Sequence, residues 1–198
     1  MKQETLQLTG GNFNNSRRAL DYYPTPKEAT IALMDFLNMP KRIVWEPACG
    51  DGAMSRVIES YGHNVISSDI SPLSYGIPNL DFLSDTSQIG AFDAIITNPP
   101  FILSEEFIRK SIKEARLVCI LLKSQYWHAS KRLKLFNEFP PSHILPLTWR
   151  PDFLEHERTD GKKGSPTMDV CWSVWNKSAS HSTIYQPLAK PNSTRRSN

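Results

Sequence analysis

The stretch Asp93-Ala-Ile-Ile-Thr-Asn98-Pro99-Pro100-Phe101 restricts the fold of this chain more than any other. Its first half is an unbroken run of apolar and β-favouring residues, the pattern of a strand buried on both faces. Such a strand needs cover above and below, which an open parallel sheet with helices on both sides supplies. The run stops at two prolines, which remove two backbone donors and hold the preceding residues extended. A stiff turn at the carboxyl end of a buried strand is where open α/β sheets place their ligands. This turn presents the Asn98 amide, backbone carbonyls and the Phe101 ring. Acceptors beside a stacking face suit a flat ring that bears an amine.

The flanking sequence alternates helix and strand. Thr25 followed by Glu28 forms a capping box, with Pro26 at the first helical position. Ala29, Leu33, Phe36 and Leu37 then share a face up to Asn38-Met-Pro40. Ile43–Gly52 reads as strand, glycine-rich turn and helix start; Met54, Val57, Ile58 and Tyr61 continue the helix and Gly62 ends it. Strand 64–69 closes on Asp69, about 20 residues past the glycine turn, the separation expected of a carboxylate that accepts from ribose hydroxyls. A Ser/Pro/Gly loop leads to a short predicted strand, Asn79-Leu-Asp81-Phe82-Leu83. After the strand over 92–97 and the diproline turn, Ser104 is positioned to cap a helix whose face is Ile108, Ile112 and Ala115.

Leu117–Leu122 is fully apolar and is predicted to be central in the sheet. Lys123-Ser-Gln-Tyr126-Trp127-His128 follows at its carboxyl end, then a short basic helix over 130–139 with Lys131, Arg132 and Lys134. Two further strands are predicted over 144–148 and 170–175, separated by a polar loop that includes Arg158, Lys162 and Lys163. The alternation predicts one α/β domain over 21–176, a parallel sheet covered by helices on both faces. Flexible segments are expected over 1–20 and 177–198, and a mobile, substrate-facing loop over 150–168.

A chain of 198 residues is long enough for one domain with a sizeable core. A net charge of +3 permits a nucleic-acid partner without demanding one. Cys49, Cys119 and Cys171 are widely spaced and form no CxxC pair, so neither a zinc site nor a disulfide framework is expected. The polar N-terminus lacks the apolar region of a secretory signal, and no run is long enough to span a bilayer. The expected location is the cytoplasm.

Glu46-Pro-Ala-Cys-Gly-Asp-Gly52 resembles the cofactor motif of S-adenosylmethionine-dependent methyltransferases, and Asn98-Pro-Pro-Phe101 resembles the catalytic motif of their amino-methyltransferase branch, especially the N6-adenine DNA enzymes of phage and prophage. Tyr23-Pro-Thr-Pro26 is similar to a cofactor-contacting segment that opens the chain in part of that branch. The resemblance covers roughly residues 20–175 and implies a Rossmann-like class I methyltransferase fold, α/β and mostly parallel with helices on both faces and one antiparallel strand near the C-terminus. It implies S-adenosyl-L-methionine as cofactor, no metal, and DNA as partner, with the target adenine flipped out of a duplex. Within the cofactor set it places Tyr23, Thr25, Glu46, Pro47, Ala48, Gly50, Gly52, Asp69, Ile70, Asp81, Phe82 and Asn98. Asp69 would accept from the ribose, Asp81 from the cofactor's adenine amine, and Phe82 would lie against that ring. Glu46 would face the methionine ammonium and Thr25 would hold the carboxylate end.

The same resemblance assigns catalysis to Asn98, Pro99, Pro100 and Phe101. Substrate contacts fall to Phe101, Lys123, Tyr126, Trp127, Lys131, Arg132, Arg158, Lys162 and Lys163. No separate recognition domain is evident, so a short or relaxed target sequence is expected. Two rival readings are an RNA or protein-glutamine amino-methyltransferase, and a non-catalytic relative that binds DNA or a partner protein through the same fold.

Overall fold

Alternation of strand and helix builds one seven-stranded sheet in the order β2-β1-β3-β4-β6-β5-β7. The computed structural model describes residues 23–154, 164–179 and 182–192. The strands are β1 (Ile43–Glu46), β2 (Asn64–Ser67), β3 (Ala94–Thr97), β4 (Leu117–Lys123), β5 (His143–Pro146), β6 (Val170–Asn176) and β7 (Ile184–Tyr185). The helices are α1 (Lys27–Leu37), α2 (Ala53–Ser60), α3 (Ser104–Glu114) and α4 (Leu133–Glu138). Only β6 runs against its neighbours, pairing antiparallel with both β4 and β5, while the other pairs are parallel. This is the expected Rossmann-like arrangement with its single reversed strand.

The strand periodicity of two divides the core into two layers. Val44, Ala94, Ile96, Cys119, Leu121, Trp172 and Val174 face α1 and α2. Trp45, Ile95, Val118, Ile120, Leu122, Cys171 and Trp175 face α3 and α4. Residues with cover on both sides have no reason to alternate in polarity, which is why β3 and β4 read as continuous apolar runs.

The chain leaves β1 for β2 on one side and then crosses to β3 on the other. The crevice of such a sheet opens at that reversal, outside the carboxyl ends of β1 and β3. The glycine turn follows β1 and the diproline turn follows β3, so the two motifs flank one crevice. Among the described residues, no helix is long and apolar enough to cross a membrane.

Several local expectations give way to tertiary contacts. The capping box does not form: the N-cap position is Pro26, one residue later than the box requires, and no side chain caps α1. Ser104 is the first residue of α3 rather than its cap, and its hydroxyl donates back to the Phe101 carbonyl at 2.9 Å. Segment 79–83 is no strand, because Asn79 is left-handed (φ 55°) and breaks an extended path. The place beside β2 is taken instead by a single parallel bridge, Ser68 to Ile77. The basic helix splits into a 3-10 turn over Ser130–Arg132 and the short α4.

Candidate active site

Two turns define the site, and each is held by contacts within the chain. In the glycine turn both Gly50 (φ 52°) and Gly52 (φ 81°) are left-handed. Any β-carbon on Gly52 would also fall 2.3 Å from the Tyr75 ring, so this position excludes every other residue on two counts. Tyr75 braces the turn from the α2 flank. Its N–H donates to the Gly50 carbonyl at 2.8 Å, and the Arg56 guanidinium lies 4.4 Å over its ring. Gly76 sits so close to β2 that a β-carbon would lie 2.0 Å from the Ser67 carbonyl oxygen. Neither Tyr75 nor Gly76 was singled out from sequence. Their segment lacks periodicity, and the Tyr-Gly pair inside the Ser/Pro/Gly loop was the only available signal.

Asp69 stands at the carboxyl end of β2, as expected. One oxygen accepts from the Gly50 N–H at 2.9 Å and the other from the Ser71 N–H at 2.8 Å. The carboxylate therefore pins the glycine turn, and each oxygen keeps a second lone pair for a ligand hydroxyl. Ile70 beside it is exposed. Asp81 is exposed and accepts from the Leu83 N–H at 2.9 Å in a local turn. Pro47 is buried under the glycine turn, and Ala48 is half-buried.

Two assignments in the cofactor set do not fit the structure. Phe82 is only 2% exposed, its ring edge-on to Trp45 at 5.1 Å and tilted on Phe107 at 4.7 Å. That ring belongs to the core and offers no face to a ligand. Glu46 is likewise 2% exposed and points beneath the turn, accepting from the Ser55 hydroxyl, which lies 2.6 Å from the Ser67 hydroxyl. It supports the turn from below and does not face a ligand ammonium.

Burial pushes the Glu46 carboxyl from 4.5 up to about 8, with the Ser55 hydrogen bond opposing the rise. The folded protein thus keeps a proton that the unfolded chain releases above pH 4.5. Stability from this group is present at low pH and falls as pH rises from there through 8, at a slope approaching about 1.4 kcal/mol per pH unit. Glu46→Gln, which imitates the protonated acid, should flatten that slope. Urea unfolding midpoints at pH 5, 6.5 and 8 measure it; equal slopes in both proteins would place the charge elsewhere.

At the diproline turn, the Asn98 side-chain N–H donates to Thr25 Oγ1 at 3.1 Å. Thr25 is buried, so this bond fixes which way the amide faces. Asn98 Oδ1 is buried and finds no hydrogen-bond partner among the described residues. A buried amide oxygen without a donor costs on the order of 1–3 kcal/mol, which an incoming N–H would recover. Tyr23, two residues before Thr25, is half-buried against the α1-side core. Phe101 is half-buried at the mouth of the turn, and the Lys123 ammonium lies 4.5 Å from its ring centroid. Asn98, Phe101, Thr25 and Lys123 are thus brought to one place from three segments of the chain.

The expected substrate contacts divide differently. Trp127 stacks on Phe136 at 4.0 Å and donates from Nε1 to Cys171 Sγ at 3.2 Å, so it is part of the fold. Arg132 pairs with Glu105 in the first turn of α3 and lies 4.3 Å over the Tyr126 ring. Burial alone would raise the Glu105 carboxyl, but its ion pairs with Arg109 and Arg132 hold it below the usual range. Arg132 is therefore held against Glu105 through one terminal nitrogen, while its Nε is buried without a hydrogen-bond partner among the described residues. Tyr126 has a buried hydroxyl without a partner among the described residues, and burial pushes its pKa up to about 12. Lys131 is exposed. Arg158, Lys162 and Lys163 lie outside the described residues.

No family model matches the sequence, and a search of curated proteins finds no match. Solved structures do match. A Pyrococcus horikoshii protein assigned as an RNA methyltransferase aligns with a TM-score of 0.61 at 16% identity, over 89% of this chain and 98% of that one. A Vibrio vulnificus protein assigned as a modification subunit of a type I restriction enzyme aligns at 0.59 and 13%, over 94% of this chain. The chain spans 55% of the length of that subunit. A dimethyladenosine transferase from Plasmodium falciparum aligns at 0.54 and 13%, over 77% of this chain and 62% of that one. The architecture they share with this chain is the Rossmann-like fold of class I methyltransferases.

Proposed function

We propose that this protein transfers a methyl group from S-adenosylmethionine to the exocyclic N6 amine of adenine in DNA. The observation that carries this reading is the buried Asn98 Oδ1, without a hydrogen-bond partner among the described residues, beside Phe101 at the crevice between the two motifs. An aromatic amine is a poor nucleophile because its lone pair is delocalised into the ring. Asn98 Oδ1 and the Pro99 carbonyl accept its two hydrogens, which localises electron density on nitrogen and aims the lone pair. Phe101 stacks on the base and offsets part of the unstacking cost, since each base–aromatic stack contributes about 1–3 kcal/mol. Preorganised neutral acceptors and positioning supply the acceleration.

The residues at the crevice suit the cofactor. Asp69 keeps lone pairs that would accept from the ribose hydroxyls, exposed Ile70 and Asp81 would lie beside the adenine, and Gly50 and Gly52, which carry no β-carbon, would let the cofactor approach the turn closely. When bound, S-adenosylmethionine supplies an electrophilic methyl on a sulfonium. This chain's part is to hold and orient, which the site does with an amide, a carbonyl and a ring; the methylated amine then gives up its surplus proton to water.

An RNA amine fits the same chemistry, and structural neighbours assigned to both DNA modification and RNA methylation share the fold. Incubation with labelled methyl donor and DNA, RNA or total protein in parallel separates these readings. Label in DNA, recovered as N6-methyladenine, is the expected result. Label confined to RNA or protein would overturn the assignment of DNA, and no label with tight cofactor binding would favour the non-catalytic relative.

A further inference from the structure

The Lys123 ammonium lies over the face of the ring that the target base is to use. Lys123 ends β4 and Phe101 opens the turn after β3; because β3 and β4 are neighbours, the two side chains meet at the carboxyl edge of the sheet. The separation of 4.5 Å from ammonium to ring centroid is that of a cation–π contact. Phe101 is also packed against the α1-side core, so much of its ring is already committed to protein. A base that stacks on Phe101 must take the place the ammonium holds.

The base and the ammonium compete for one ring, and a nucleic-acid substrate brings phosphates on either side of the nucleotide that enters, to which the displaced ammonium can turn. We propose that Lys123 is a displaceable cap: it covers Phe101 while no base is bound and moves to a backbone phosphate as the base takes the ring. This rests on the reading of the site as a base-binding one. Lys123 is then a positioning residue, whose phosphate contact forms only in the state with the base in place.

The cap has a direct signature. The ε-methylene protons of a lysine held over a ring are shifted upfield by the ring current. In protein carrying 13C-labelled lysine, one such resonance should be present and should vanish in Lys123→Met, which assigns it. Addition of a random-sequence DNA duplex should return it to the position of an ordinary lysine. By anisotropy with the same duplex, Lys123→Met should lower the slope of log Kd against log salt by about 1, the loss expected for one phosphate contact. An upfield shift that persists at saturation, or an unchanged salt slope, overturns the cap while binding itself stays intact. If the wild-type protein neither binds nor methylates the duplex, the base-binding reading falls and the cap with it. The resonance in wild-type protein is informative even if the variant folds poorly, since Lys123→Gln gives the same assignment.

Discussion

Asn98→Ala should lower kcat for methyl transfer by about 100- to 1000-fold, the loss typical of removing one preorganised polar group from a reacting centre. Its affinity for S-adenosylhomocysteine, measured by calorimetry, should stay within about twofold of wild type. The split follows from the geometry. The Asn98 N–H is held by Thr25, and the oxygen left over is buried with no donor among the described residues. In the bare protein that oxygen is a cost; in the proposed reaction, an amine in place would make it the group that aims the lone pair. Alanine removes the cost and the aim together and also gives up the hydrogen bond to buried Thr25, so the net change in stability should stay within about 1–2 kcal/mol. Asp69, which holds the glycine turn through Gly50, is untouched by the change, so the cofactor side of the crevice stays as it is. Asp69→Ala should do the reverse and weaken S-adenosylhomocysteine binding. Turnover of Asn98→Ala near that of wild type would remove this residue from the reaction.

The sheet was legible because burial on two faces leaves a mark in local sequence. Leu117–Leu122 could be placed at the centre from its apolar run alone, and it lies between β3 and β6. The site was legible as motifs and less so as contacts. Thr25 carries a local capping signal, yet its hydroxyl is used by an amide 73 residues away, and no local pattern records that partner. Phe82 sits next to an exposed acid in a segment without periodicity, so sequence could not tell a ligand face from a core ring. The Trp45 and Phe107 rings decided it. Arg132 reads as one of three cations on a basic helix; its partner Glu105 is on another helix, 27 residues earlier, and becomes a neighbour only through the fold. In each case the missing information is long-range pairing of side chains whose local options are equally good.

Trp172→Ala should destabilise the protein by about 3–5 kcal/mol, a large share of the roughly 5–15 kcal/mol by which a domain is stable. Trp172 is fully buried in β6, opposite Leu121 of β4 and Leu145 of β5, so its ring fills the centre of the α1-side core. Its Nε1–H also donates to the Ala29 carbonyl in the first turn of α1, at 2.9 Å. That bond spans 143 residues and ties the start of α1 to the sheet, four residues beyond the Thr25 that orients Asn98. Trp172→Phe separates the two contributions. It keeps most of the ring and loses the donor, so it should cost about 1–2 kcal/mol in urea unfolding, mostly for the lost hydrogen bond. The same variant should lower methyl transfer more than S-adenosylhomocysteine affinity, because a looser α1 blurs the position of Thr25 and hence of the Asn98 oxygen. A Trp172→Phe protein that is destabilised yet turns over at the wild-type rate would show that the α1 tie serves stability alone. A Trp172→Ala protein within about 1 kcal/mol of wild type would contradict the place given to this ring in the core.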